Sequence, residues 1–598
     1  MTQPTFTHRP ALTRRAAAAL GLAAVAAPAL AAASPADARF AKLAAAYVDQ
    51  RPALSPSQAT VLGDHRFDGQ VDDMSAAGRR ARDDLARRFL ARVESFHPRE
   101  LSRENQVDLA LLKNQLRYDI WTDDVLQSWA WDPQLYAGVA GNALYSLMAR
   151  EFAPLPVRLR AAISRMEALP ALYAQMRDQL QPARVPLIHA QTVAKQNAGV
   201  LSILDGMILP ASSALPPGDQ TRLKAAAQSL RAAVAEQQTW LDKVLVPAAK
   251  GDFRLGSKLY DRKLAFALVS PMSRAEIRAG AEAALEQTRA EMYGVSRRVL
   301  AGRAGATPMP EAPDAATQQK VIEAALELAY ADHPPRDGVV PACRAALAAA
   351  TDFVRARDLI TLPDAPVEAI IMPEYARGAA VAYCDAPGPL DRGQKTYVDI
   401  SPIPDDWTPA QAESFLREYN RRGLNDTMIH EAMPGHFVQI WHSNKHPSVL
   451  RALLGSGPFI EGWAVYAEDM MAKQGYLGGD PLFRLQQLKT RVRSITNAIL
   501  DQMVHVDGAG EAEVMAFLTV TAFQQEREAA GKWTRARLDS TQLPSYFVGA
   551  TEHDALRAEA ERRDGAAFNL KRYHDKVLSF GSPPSRYVRA LMFGGAIG

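Results

Sequence analysis

Between positions 40 and 331 apolar residues return every three or four places, with Arg, Glu and Gln filling the opposite side. That is the helical period. It predicts helices over 77–96, 106–121, 155–181, 219–249 and 274–300, with no fixed-period repeat. Breaker clusters separate them, such as Leu209-Pro210-Ala211-Ser212-Ser213 and Leu215-Pro216-Pro217-Gly218. Most of the charged residues in this half read as solvated helix faces.

A shift to Gly, Pro and Ala near 305–313 marks a boundary, so 34–305 reads as an N-terminal helical region and 306–598 as a second, catalytic region. After two more helices the pattern changes. Segments 367–374, 379–384 and 396–400 are rich in β-branched and aromatic residues and read as a small sheet. An exposed edge there would either pair with an extended peptide or be ordinary structure. Thr408-Pro409-Ala410-Gln411 is a helix start, and Asn425 or Asp426 is suited to cap the helix after it. The rest reads as helix except for loops near Gly531 and Pro544. The fold class is therefore mainly α, a large multi-helix architecture with a small β-sheet just upstream of the stretch described next.

That stretch is His430-Glu431-Ala432-Met433-Pro434-Gly435-His436, followed by Glu461-Gly462-Trp463-Ala464-Val465-Tyr466-Ala467-Glu468. Two imidazoles, a carboxylate ligand and a spare carboxylate are what a hydrolytic zinc site needs. The usual motif puts its two histidines four apart on one helical face. Here they are six apart, which on an ideal helix is roughly 600°, about 120° off the first face. Pro434 cannot donate an amide proton, and its ring collides with the carbonyl of His430; Gly435 tolerates a break. A kink between the histidines would bring both onto one ion.

On this reading His430, His436 and Glu461 hold Zn2+, and Glu431 acts as general base. Glu468, two turns beyond Glu461, would either orient a ligand histidine or form a helix ion pair. His442 and His446 have i, i+4 spacing but no adjoining Glu, and they read as a solvated turn.

The first 33 residues change the expected location. Arg9, Arg14 and Arg15 precede an Ala-rich run with small-residue cleavage patterns, which is the layout of an export signal, with Thr13-Arg14-Arg15 suggesting the twin-arginine route. Its removal takes the formal charge from +3 to +3 − 3 = 0. A near-neutral mature chain argues against a nucleic-acid binder, and no later segment is long and apolar enough for stable membrane insertion. The mature protein is expected to be periplasmic or secreted. Cys343 and Cys384 are candidates for a disulfide there.

The metal motif and its downstream Glu string resemble the bacterial DUF885 family, whose members look like zinc peptidases related to the gluzincins. Weaker matches are Ala59-Thr60-Val61-Leu62-Gly63-Asp64-His65, the segments 501–505 and 543–549, and Tyr573-His574-Asp575. The Glu461 string also resembles the third-ligand helix of zinc aminopeptidases. The resemblance implies a gluzincin-like helical fold with a deep cleft and a small sheet beside it. It also places Tyr546 and His505 in that cleft, either one donating to a tetrahedral oxyanion or serving as core packing. Met433 stands where relatives have an aromatic residue, and Asn497 where they have an arginine that would recognise a carboxylate; Arg491 and Arg493 lie close by. The leading expectation is an exported zinc peptidase acting on a peptide or amide substrate. The alternatives are a zinc amidase or esterase for a small metabolite or cell-wall peptide, and a non-catalytic, zinc-stabilised peptide-binding protein. Oligomeric state and the end from which peptides are trimmed are left open.

Overall fold

Local signals set several of the helix starts. Ser273 and Glu276 form a reciprocal capping box that opens helix α1 (Arg274–Leu300), and Thr408 and Gln411 do the same for the helix Pro409–Glu418. A computed structural model of the chain describes residues 34–303, 308–373, 377 and 381–597. The export signal expected over 1–33, part of the boundary near 305–313 and parts of the first two expected strands lie outside these residues. The predicted N-terminal helices are present, among them Ala76–Glu94, Arg103–Trp121 and Leu155–Gln179. Among the described residues no helix is long and apolar enough to cross a membrane.

The fold is mainly helical with one small sheet. Strands β1 (Val367–Ile371), β2 (Ala382–Asp385) and β3 (Thr396–Ile400) lie in the order β1-β3-β2. β1 runs parallel to β3 and β2 antiparallel to it. The sheet packs on helix α2 (Val339–Arg357) and on the metal-motif helices α3 (Arg421–Glu431) and α4 (His436–Ser443). In this layer Val398, Met428, Ile429 and Val438 are fully buried, each worth about 1.5–3 kcal/mol relative to exposure. Its outer strand is tied to the N-terminal half. Arg150 pairs with Asp385 at 2.7 Å, and Tyr145 donates to the same carboxylate.

A second core joins Ile277 and Met292 of α1 to Val321 and Ile322, to Val492 of α6 (Pro481–Gln502) and to Phe547 of α8 (Pro544–Asp564). It crosses position 305, where the sequence suggested a boundary. Between these helices in the chain lie α5 (Gly457–Lys473) and α7 (Glu526–Leu538). Gly531 sits inside α7, so the loop expected there is absent, a glycine in a well-packed helix costing only about 1 kcal/mol; the loop expected near Pro544 is present, residues 539–543 joining α7 to α8. The cap of α3 is Asn420, whose side chain accepts from Arg422 and Gly423. Asn425 and Asp426 fall within the helix, and Asp426 is buried. Cys343 and Cys384, candidates for a disulfide on sequence, are both free thiols.

Candidate metal centre

α3 ends at Glu431 and α4 begins at His436, so the helix is broken between the two histidines. The break is held by backbone packing. A Cβ at Gly435 would lie 1.9 Å from the carbonyl oxygen of His430, a space only glycine leaves free. The Pro434 carbonyl accepts a 2.8 Å hydrogen bond from Trp463 Nε1, which ties the kink to α5. The result is convergence: the His430 and His436 rings lie 4.7 Å apart, nearly perpendicular.

Glu461 enters from the second turn of α5. A Cβ at Gly462 would meet the Gly549 backbone at 2.2 Å, so α5 and α8 approach backbone to backbone and set Glu461 against the histidines. One ligand atom from each of His430, His436 and Glu461 falls within 4.8 Å of the others. Glu461 Oε2 has no hydrogen-bond partner among the described residues, yet it stands 3.6 Å from His430 Nε2 and 3.5 Å from His436 Nε2. Tetrahedral zinc with bonds of 2.0–2.2 Å would space its ligand atoms about 3.4 Å apart. Separations too long for hydrogen bonds but matching that edge fit three ligands around one small ion. The three side chains are 12–19 % exposed, so the centre is reachable from solvent.

Glu468, two turns along α5, is buried, and its Oε1 lies 2.6 Å from His430 Nδ1. That contact fixes the ring and leaves Nε2 facing Glu461. Burial alone would depress His430, but the carboxylates of Glu461, Glu468 and Glu431 outweigh it and raise the imidazole well above its usual value. Those same histidines hold Glu461 low against its burial.

Glu431 is outside the ligand set. Its Oε2 accepts a 3.0 Å hydrogen bond from the backbone N–H of Cys384 on β2. Burial raises its carboxyl above the ordinary range although His430 and His436 oppose the shift. A fixed carboxylate with a raised pKa beside a metal set suits proton transfer. Val381 O accepts from Ser401 across the sheet. By strand alternation the backbone groups of Ala382 and Cys384 therefore point away from β3, towards the site.

Tyr546, in the first turn of α8, lies beside the centre with its ring 6.3 Å from that of His430. Its hydroxyl oxygen accepts from Arg535 Nη2 at 3.0 Å and Gln542 Nε2 at 3.4 Å, which occupies its lone pairs and leaves the O–H free to donate. Gln542 also reaches Glu461. His505 is elsewhere. It is buried beside Tyr260, and its Nε2–H faces the carbonyls of Ala536 and Asp539 at 2.8 and 2.9 Å. Its neighbour Asp501 accepts from Tyr260 and from the Thr541 N–H. Both therefore anchor the loop leading to Gln542 and Tyr546, and neither reaches the metal set. His442 donates to Thr361 O and His446 contacts Arg451; they are partly buried structural groups instead of the solvated turn expected.

Arg535 was not singled out by sequence reasoning, because an arginine on a polar-looking helix carries no spacing signal. Asn497 is buried in α6, with Arg493 on the same helix bound to Tyr419 and Glu528 and Arg491 to Asp554.

Among curated proteins none matches this chain. Two solved structures are similar over nearly their full length. One is a candidate lipoprotein of unknown function from Shewanella oneidensis, 33 % identical, with a TM-score of 0.77, covering 92 % of this chain and 99 % of the other. The second, a candidate lipoprotein from Colwellia psychrerythraea, is 16 % identical with a TM-score of 0.74, covering 93 % and 98 %, and shows the shared fold alone. Residues 56–592 match the model of a bacterial protein family of unknown function, DUF885, and the chain belongs to that family.

Proposed function

We propose that this chain is an exported, gluzincin-like zinc peptidase. The observation that carries the reading is the convergence of His430, His436 and Glu461, with Glu431 fixed beside them but outside the ligand set. Zinc held by those three side chains would supply Lewis acidity to a water molecule and to the substrate carbonyl. Glu431 takes the proton from the attacking water and delivers it to the departing amine. Its carboxylate is steered by the Cys384 N–H, so it cannot swing into the ligand set. Tyr546 donates its free O–H to the carbonyl oxygen as negative charge develops there. Glu468 keeps His430 in the tautomer that presents Nε2.

A peptide substrate is favoured over a small amide or ester by the outward backbone groups of Ala382 and the outward carbonyl of Cys384, whose N–H is taken by Glu431; these offer an extended chain a strand edge. Export is supported by the leader-like start of the sequence and by the similar Shewanella oneidensis protein, which is described as a candidate lipoprotein.

The test is the purified mature protein, analysed for zinc by mass spectrometry and assayed on a mixed peptide pool. Chelation should abolish cleavage and added zinc restore it. Glu431→Gln should retain the metal while hydrolysis falls by about 10²–10⁴-fold. Full activity in that variant would sink the assignment of the base, and a metal-free protein that cuts peptides would sink the zinc centre.

A further inference from the structure

One face of α7 carries Glu528, Lys532 and Arg535 at spacings of four and three, so the three side chains rise on the same side of the helix. Arg535 is the end nearest the metal set, through Tyr546 and Gln542. Opposite this face, Arg493 of α6 lies 3.6 Å from Glu528, and Tyr419 donates to the same carboxylate at 2.9 Å. Glu418 is already paired with Lys489 at 2.8 Å.

Glu528 offsets Arg493 and Glu418 offsets Lys489, while Arg535 hydrogen-bonds only the neutral oxygens of Gln542 and Tyr546 and feels Glu461 and Asp539 without contacting either. Lys532 is 7 % exposed and, among the described residues, has neither a hydrogen bond nor an ion pair. Burial brings its ammonium down to about 7, with Glu528 pulling it up and Arg535 and Arg493 pushing it further down. A buried, unpartnered ammonium beside a guanidinium that touches no carboxylate is costly unless an anion joins them. Such groups beside a reactive centre mark a binding function.

We propose that Lys532, with Arg535 and Arg493, forms a subsite for a substrate carboxylate, so that peptides are recognised by a carboxyl group close to the bond that is cut. This deepens the peptidase reading and rests on it. Lys532 lies one turn from Arg535, about 5–6 Å between Cβ atoms, and Arg535 touches the tyrosine that faces the metal set. An extended peptide advances about 3.3 Å per residue, so the carboxylate would belong to the first or second residue beyond the scissile bond. Two sources share this chemistry: the free carboxyl terminus of a peptide and an acidic side chain near the cut.

The experiment is limited amine-directed labelling of the full-length protein, with modification at Lys532 read by mass spectrometry. The probes are N-acetyl-dialanine, its carboxyl-terminal amide, and N-acetyl-aspartic acid α-amide. Protection of Lys532 by roughly tenfold or more with the first probe and not the second is the expected result, and assigns the site to a carboxyl terminus. Protection by the aspartic probe instead keeps the subsite and assigns it to a side chain. Kinetics supply the second reading: Lys532→Met should raise KM for free-acid peptides about tenfold while sparing their amides, and Lys532→Arg should recover most of that preference. Equal labelling with and without both carboxylate probes overturns the subsite, even in a protein that cuts peptides. Protection of Lys532 in a protein that cuts none upholds the carboxylate site and overturns the peptidase reading.

Discussion

Glu468 Oε1 sits 2.6 Å from Nδ1 of His430, across the interface between α3 and α5. The two residues are 38 apart in sequence, and the carboxylate is almost wholly buried. A carboxylate so placed both aims the imidazole and raises its basicity as a donor.

Glu468→Gln should therefore weaken zinc binding by about 10–100-fold without unfolding the protein. Competition with a chromogenic chelator, alongside a thermal melt of the metal-free form, measures both quantities. An unchanged zinc affinity would reduce the contact to a packing interaction.

Tyr546→Phe removes one hydroxyl and nothing of the ring packing. The proposed role predicts a fall in kcat of about 10²–10³-fold with KM nearly unchanged, since the O–H acts on charge that exists only in the transition state. Equal losses in kcat and in folding stability would instead make it a structural brace for Arg535.

The stability contributed by two buried histidines should fall as the solution is acidified from about pH 6.5 towards pH 4, against the opposite contribution of carboxyls that burial raises, such as Asp399 at about 6. His553 Nε2–H donates to Phe459 O at 2.9 Å, and His574 donates from Nδ1 to Leu359 O while its Nε2 meets the Tyr466 hydroxyl; burial depresses both to about 4. An unfolded chain whose histidines titrate near 6.5 binds more protons than the native state across this window, so unfolding becomes easier as pH drops. Above the unfolded value the stability is fully present, and below about 4 the loss levels off. Each histidine accounts for up to about 3 kcal/mol, and denaturant melts at pH 7, 5 and 4 with His553→Gln beside the parent would show its share.

Much of the candidate centre could be read from residue order because the side chains that converge lie close in sequence. His430, Pro434, Gly435 and His436 announce both imidazoles and the break, and Glu461 with Gly462 announces the converging carboxylate and the close helix contact. The helices with periodic faces or capping boxes, Arg274–Leu300 and Pro409–Glu418, were legible for the same local reasons. What escaped depends on distant partners. Nothing in the run Glu528 to Arg535 distinguishes a solvated face from a buried one, and only packing against α6 and Tyr419 makes that difference. His505 misled in the opposite way: it is near the right loop, but its ring is held by backbone carbonyls. Asp426 looked like a cap because caps and buried acids share a residue type, whereas Asn420 captures the free amides first.

The glycine contact between α5 and α8 also sets how the molecule can move. With no side chain between Gly462 and Gly549, α5 and α8 meet backbone to backbone with no compressible layer to absorb a shift, and such packing couples the two helices. Glu461 and Tyr546 are carried on that pair, so their relative position survives thermal motion that would separate them if they rode on different parts. Any opening of the recess would then fall to its opposite wall, where the tie to the N-terminal helices is the ion pair between Arg150 and Asp385 of β2. The jaw that admits substrate would be the sheet, and the anvil against which it closes is fixed by two missing methyl groups.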